Sequence, residues 1–272
     1  MVGPTAQLVA LACDFNGRVR GLATVPFLQS NSTAQFCEYI QFVRPHQGWI
    51  VRKSEWRVAA KTPDEWFAAE SRSKRCAIIA NYPGKQSDIP DHMLAGFVGG
   101  GGQWRLLLVK DGRMDVWASK WEVGNRDAPD RRIWRVSYGL IAENADFPPQ
   151  SPESVEAIVP VFVNLLSDLQ SFCVDHHLGH FATNFRNAGE CLSADDPFAL
   201  VYHKDLTPQG LLSRPASQLL AACQAAWVFG GMGSWNDMSF QGAEQSQYER
   251  LSYELYALIN RAICAATNSS SA

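Results

Sequence analysis

Asp175-His176-His177-Leu178-Gly179-His180 crowds metal-binding side chains more densely than any other segment of this chain. His176 and His180 stand four apart, a spacing that can set two imidazoles on one helix face. The glutamate of an H-E-x-x-H pattern is missing, so a zinc protease is not indicated. Gly179 would also end a helix between the two rings as a left-handed cap, and the third ligand would have to come from His203, Asp195 or Asp196 through the fold. The competing expectation is structural: histidines in a last helical turn bond free carbonyls and suit the negative end of the dipole. No metal or other cofactor is therefore expected, and His176 and His180 are kept as the candidate ligands should one bind.

Two glycine-rich segments could shape a binding site. Gly96-Phe97-Val98-Gly99-Gly100-Gly101-Gly102-Gln103-Trp104 exposes backbone N–H groups that could cradle an anion. A phosphate loop needs Gly-Lys-Ser/Thr and then a helix, and here Gln103-Trp104 leads into a strand. The alternatives are a binding loop of another kind, or glycines that let a second segment approach closely. Phe229-Gly230-Gly231-Met232-Gly233-Ser234-Trp235-Asn236-Asp237-Met238 joins two expected helices. Ser234 is not in a nucleophile elbow, because Met232 and Asn236 stand where G-x-S-x-G requires glycine. Trp235, Asn236 and Asp237 could rim a pocket; equally, Trp235 could pack on the core while Asn236 or Asp237 starts the next turn.

Nine tryptophans are a rich endowment. Trp104, Trp117, Trp121 and Trp134 cluster in the strand-rich half, and an unbroken strand would turn Trp117 and Trp121 to one side. They read as core or as aromatic anchors for a partner, with Arg126 close by in a charged loop. The binding candidates are thus Gln103, Trp104, Trp121, Arg126, Trp235, Asn236 and Asp237. No Ser-His-Asp triad can be chosen from sequence, because geometry defines it.

Strands first and helices after must position these residues. Gln7 to Phe15 and Arg18 to Phe27 flank Asn16-Gly17, a hairpin signal. Further strands are expected over 38–43, 49–52, 56–60, 75–81, 104–109, 114–121 and 133–142, with Lys110-Asp111-Gly112-Arg113 as a second hairpin turn. Thr62-Pro63-Asp64-Glu65 has the form of a capping box. The stretch 144–152 carries Pro148, Pro149 and Pro152 and is the best boundary. Ser151-Pro152-Glu153 then starts a helix that Pro160 should kink or delay. A short strand is expected at 198–202. Helices follow over 215–229 and 244–266, the last with an apolar stripe from Tyr248 to Ile263, and then a frayed polar tail.

This order predicts an α+β fold, a mainly antiparallel sheet from the N-terminal half covered by two or three C-terminal helices. One domain is expected over 1–272, β-rich over 1–145 and helical over 151–268. The 272 residues carry 24 Lys and Arg against 27 Asp and Glu, net −3, with no basic face for nucleic acid. Leu8 to Cys13 is too short for a membrane span or signal peptide. Seven scattered cysteines without a C-x-x-C pair suit a reducing, cytoplasmic setting. The leading expectation is a non-enzymatic protein that engages a protein partner, by analogy alone with compact inhibitor and immunity proteins. The alternatives are a small-ligand binder with a pocket between sheet and helices, and a metal-dependent hydrolase using His176 and His180. Oligomeric state is not legible.

Overall fold

A computed structural model describes residues 1–22, 25–46, 55–73, 75–84, 88–97, 99–147 and 153–271. In chain order the elements are α1 (Gly3–Val19), α2 (Phe27–Ser30), β1 (Cys37–His46), β2 (Glu55–Ala60), α3 (Pro63–Glu70), β3 (Cys76–Tyr82), α4 (Asp91–Leu94), β4 (Gln103–Lys110), β5 (Arg113–Val123), β6 (Trp134–Asp146), α5 (Val155–Asp175), α6 (Gly179–Cys191), α7 (Arg214–Ala225) and α8 (Gly242–Asn268). The expected α+β class is what the chain forms. Six strands make one sheet in the order β2-β1-β6-β5-β4-β3, antiparallel except where β1 runs parallel to β6.

The β4–β5 hairpin forms at the expected turn. Asp111 and Gly112 both take positive φ, 50° and 71°, as a type I′ turn requires. The capping box at α3 also forms. Thr62 Oγ1 accepts from Glu65 N at 3.2 Å, and Glu65 Oε2 accepts from Lys61 N at 2.7 Å.

The hairpin expected at Asn16-Gly17 does not exist; both residues lie in the last turns of α1. Residues from Thr5 to Cys13 are buried without interruption, so this helix shows no polar stripe. A helix apolar all round lacks the 3.6-residue signature, and its length, not its period, separates it from a strand. Gly17 lets α1 pack tightly, since a Cβ there would come within 2.8 Å of Pro208 Cγ.

Several smaller expectations also give way. Residues 198–202 hold a 3-10 turn, Pro197–Leu200, and not a strand. α6 was not foreseen. Ser154, and not Ser151, caps α5, accepting from Ala157 N at 3.1 Å. Pro160 sits inside α5 without ending it; the carbonyl it orphans belongs to exposed Glu156, where water can serve it. The strand expected over 49–52 lies outside the described residues. The tail is not frayed. Ser269–Ser271 forms a 3-10 turn with Ser270 buried.

One face of the sheet carries the core. Phe42, Trp66, Trp117 and Tyr138 form an aromatic block there, with Phe42 and Trp66 stacked at 4.3 Å between centroids. α1, α3 and α8 pack on the sheet, while α5, α6, α7 and α8 pack on one another. Among the described residues α5 alone has the length and apolarity of a membrane span, with a mean hydropathy of 1.6. It buries Ile158, Phe162, Leu166 and Leu169 in the core as an amphipathic helix would.

The two sheet edges differ. At the β3 edge, Asn16 Nδ2 donates to Ala77 O at 2.7 Å and Ala77 N donates to Asn16 Oδ1 at 2.7 Å. Two residues on, Ile79 N donates to Asn268 Oδ1 at 2.7 Å and Asn268 Nδ2 donates to Ile79 O at 2.9 Å. Two side-chain amides, from α1 and α8, thus take the place of a seventh strand and satisfy buried backbone groups. The β2 edge has no such cover among the described residues.

Candidate functional site

The sealed β3 edge and α8 form two walls of a cavity of about 760 Å³. Cys76, Ile78 and Ala80 line one side, Tyr256, Asn260 and Cys264 the other. α4 closes an end with Asp91 and His92. The wall is mostly apolar, with a small set of polar groups, which is the usual make-up of a ligand pocket.

Among the described residues eight buried side-chain N or O atoms lack a hydrogen-bond partner, and three belong to residues of this wall, Asn81 Nδ2, His92 Nδ1 and Asn260 Oδ1, each itself closed to solvent. Native proteins pair buried polar atoms, because an orphan costs about 1–3 kcal/mol. Tyr256 has a single proton and gives it to Gly101 O, so it has none left for Asn260 Oδ1. Burial pushes the Tyr256 phenol up to about 12. Burial also lowers the His92 pKa against the opposing pull of the Asp91 and Glu249 carboxylates, so its imidazole is held neutral. The cavity's formal charges are Asp91, Glu153 and Arg261, and the last two pair, Arg261 Nε donating to Glu153 Oε2 at 2.9 Å.

The two glycine-rich segments meet beside this wall. A Cβ on Gly96 would collide with the Gly230 carbonyl. Asn236 Nδ2 donates to His92 O at 3.0 Å, and the phenol of Tyr256 donates to Gly101 O. Gly101 and Gly102 hold φ of 75° and 91°, which a side chain would strain. Close approach is therefore what these glycines permit, and Asn236 positions α4 and so His92.

The other residues singled out from sequence are scattered. Trp104 pairs with Asn81 across β3 and β4 and is half-buried against the core, and Gln103 Oε1 accepts from Arg105 Nη2 at 2.5 Å. Trp117 and Trp121 do share a side; Trp121 meets Trp134 edge-on at 5.9 Å across β5 and β6 and does not line the cavity. Arg126 lies in an exposed turn. Trp235 is wholly buried among Phe172, Phe181 and Phe185, with Nε1 donating to Ser252 Oγ at 2.7 Å, so its indole is closed to a ligand. Asp237 is exposed and accepts from Gly233 N at 2.5 Å.

His176 and His180 do not share a helix face. α5 ends at Asp175, His177 takes φ 57°, and Gly179 begins α6 instead of capping α5. His176 packs tilted against Phe172 and edge-on against Phe240 at the end of α5, and His180 lies edge-on against Phe181. Among the described residues no three His, Cys, Asp or Glu side chains gather as a metal site.

The fold does join one serine, histidine and aspartate that sequence could not pair. Ser32 Oγ lies 2.8 Å from His203 Nδ1 and bonds Asp205 Oδ1, while Ser32 N donates to Asp205 Oδ2 at 2.7 Å. The connectivity differs from a catalytic triad, because the carboxylate binds the serine and not the far side of the imidazole. Gln224 clamps the His203 backbone from both sides, donating to its carbonyl and accepting from its N–H. This cluster fastens the 202–206 segment to the turn before β1. His203 is likewise held neutral, first of all by burial.

Sequence reasoning missed His92, Asn81 and Asn260. They stand far apart in sequence, and only the packing of α8 and α4 against β3 makes them neighbours. Comparison with known proteins finds no matching family model, curated protein or solved structure.

Proposed function

We propose that this protein binds a small, mainly apolar molecule with an uncharged hydrogen-bonding end in the cavity between β3 and α8. One observation carries the reading: a cavity of about 760 Å³ between β3 and α8 has a mostly apolar wall that includes the polar residues Asn81, His92 and Asn260. A donor in Asn81, an acceptor in Asn260 and a neutral imidazole in His92 suit a ligand edge that both gives and accepts hydrogen bonds. An anion is disfavoured, because Asp91 is the one formal charge on the wall without an opposite partner there.

The test is a thermal-shift screen of uncharged heterocyclic and amide fragments against the wild type and Ala257→Trp. Ala257 lines the cavity and is half-buried, so an indole there fills the space. Fragments should raise the melting temperature of the wild type and not of the variant. Equal shifts in both would place binding elsewhere and end the proposal. The alternative of a protein partner finds its support at the opposite sheet edge.

A further inference from the structure

We infer that the open edge of β2 pairs with the same edge of a second copy of this chain, antiparallel about a two-fold axis at Trp56. The inference is independent of the cavity, which lies at the other end of the sheet.

β2 is hydrogen-bonded to β1 alone. Glu55, Trp56, Arg57, Val58 and Ala59 are all exposed, with Trp56 at 51% and Val58 at 50%. An exposed edge strand is a template for another strand, and proteins usually blunt such edges. This chain blunts β3 with Asn16 and Asn268 and leaves β2 without equivalent cover among the described residues. The Trp56 ring lies over Gly139 of β6, where a Cβ would come within 3.2 Å of the indole, so the side chain is laid inward across β1 and does not block the outer edge of β2.

Charge suits a second copy as the occupant and weighs against a register centred on Arg57. With the axis at Trp56, Glu55 of each strand faces Arg57 of the other. Each opposed pair is then attractive. Moving the axis to Arg57 would set two guanidiniums face to face, which costs free energy. Among the described residues neither Glu55 nor Arg57 forms an ion pair within its own chain. A self-complementary patch of this kind is what a two-fold interface requires.

The experiment is sedimentation equilibrium over micromolar to millimolar concentrations, with circular dichroism confirming that each variant is folded. Wild type should populate a dimer. Arg57→Glu alone, or Glu55→Arg alone, turns both opposed pairs repulsive and should weaken association by about tenfold or more. The double reversal Glu55→Arg/Arg57→Glu restores opposite charges and should recover the dimer. A wild type that stays monomeric at the highest concentration overturns the inference, and the edge is then free for a strand of a different protein. A dimer insensitive to both single reversals overturns it too, by placing the contact on another surface. Single reversals that dissociate without recovery in the double variant overturn the register.

Discussion

Replacing Asn16 by alanine should destabilise the protein severely, although the residue touches neither the cavity nor the β2 edge. Its side chain makes three bonds of 2.7 Å, to Ala77 N, Ala77 O and Ser270 Oγ. Asn16 is 3% exposed and Ala77 0% exposed, so water has no easy route to the groups left behind. One buried N–H and one buried carbonyl lose their partners at about 1–3 kcal/mol each, giving an expected loss of about 2–6 kcal/mol. At roughly 2–4 °C per kcal/mol for a chain of this size, the melting temperature should fall by about 4–24 °C. Asn16→Asp separates the two bonds. An ionised carboxylate still accepts from Ala77 N but faces the Ala77 carbonyl without a proton. The aspartate variant should therefore be as impaired as alanine at neutral pH and recover as the buried carboxyl protonates. Urea unfolding followed by circular dichroism at neutral and mildly acid pH reads both effects. A loss under about 0.5 kcal/mol for Asn16→Ala would refute the reasoning, because it would mean that the β3 edge does not depend on amide capping.

Three further outcomes follow from the same structure. His92 and His203 are held neutral by burial, so the unfolded chain binds more protons than the folded one below the ordinary histidine pKa of about 6.5. Stability is then full above that value and falls as pH drops through it; melting curves should show this, and His92→Phe should flatten the dependence. Asn260→Leu removes an orphaned acceptor from an apolar wall, so it should hold or raise the melting temperature while abolishing fragment binding; a clear loss of stability would show that Asn260 is a structural residue. Burial pushes Cys13 and Cys173 up to about 12 and Cys37 and Cys191 up to about 11, so these thiols should resist iodoacetamide until the chain unfolds; rapid labelling of the native protein, read by mass spectrometry, would contradict their burial.

The sheet and the last helix were legible because their signals are local. Asp111-Gly112 demands a hairpin turn, Thr62 to Glu65 demands a helix start, and the stripe from Tyr248 to Ile263 demands one buried face. α1 was not legible because burial on every side erases its period, and Asn16-Gly17 carries a turn signal that tertiary contacts override. The glycine segments were recognised as unusual, and one of the roles weighed for 96–104, the close approach of a second segment, is visible at Gly96 and Gly101. Their distance from each other in sequence hid the partners Gly230 and Tyr256. The cavity itself had no local signal. Asn81, His92 and Asn260 stand well apart in the chain, and nothing in their immediate neighbours marks them as a set.

The most direct test of the cavity proposal is the response of side-chain amides in a ¹⁵N–¹H correlation spectrum as a fragment from the thermal-shift screen is added. The NH₂ resonances of Asn81 and Asn260, assigned through Asn81→Leu and Asn260→Leu, should move in proportion to occupancy while the side-chain amide of Gln218, which does not line the cavity and donates to Ala194 O at 2.8 Å, stays still. Unmoved Asn81 and Asn260 signals, with shifts gathered around another surface, would contradict the account.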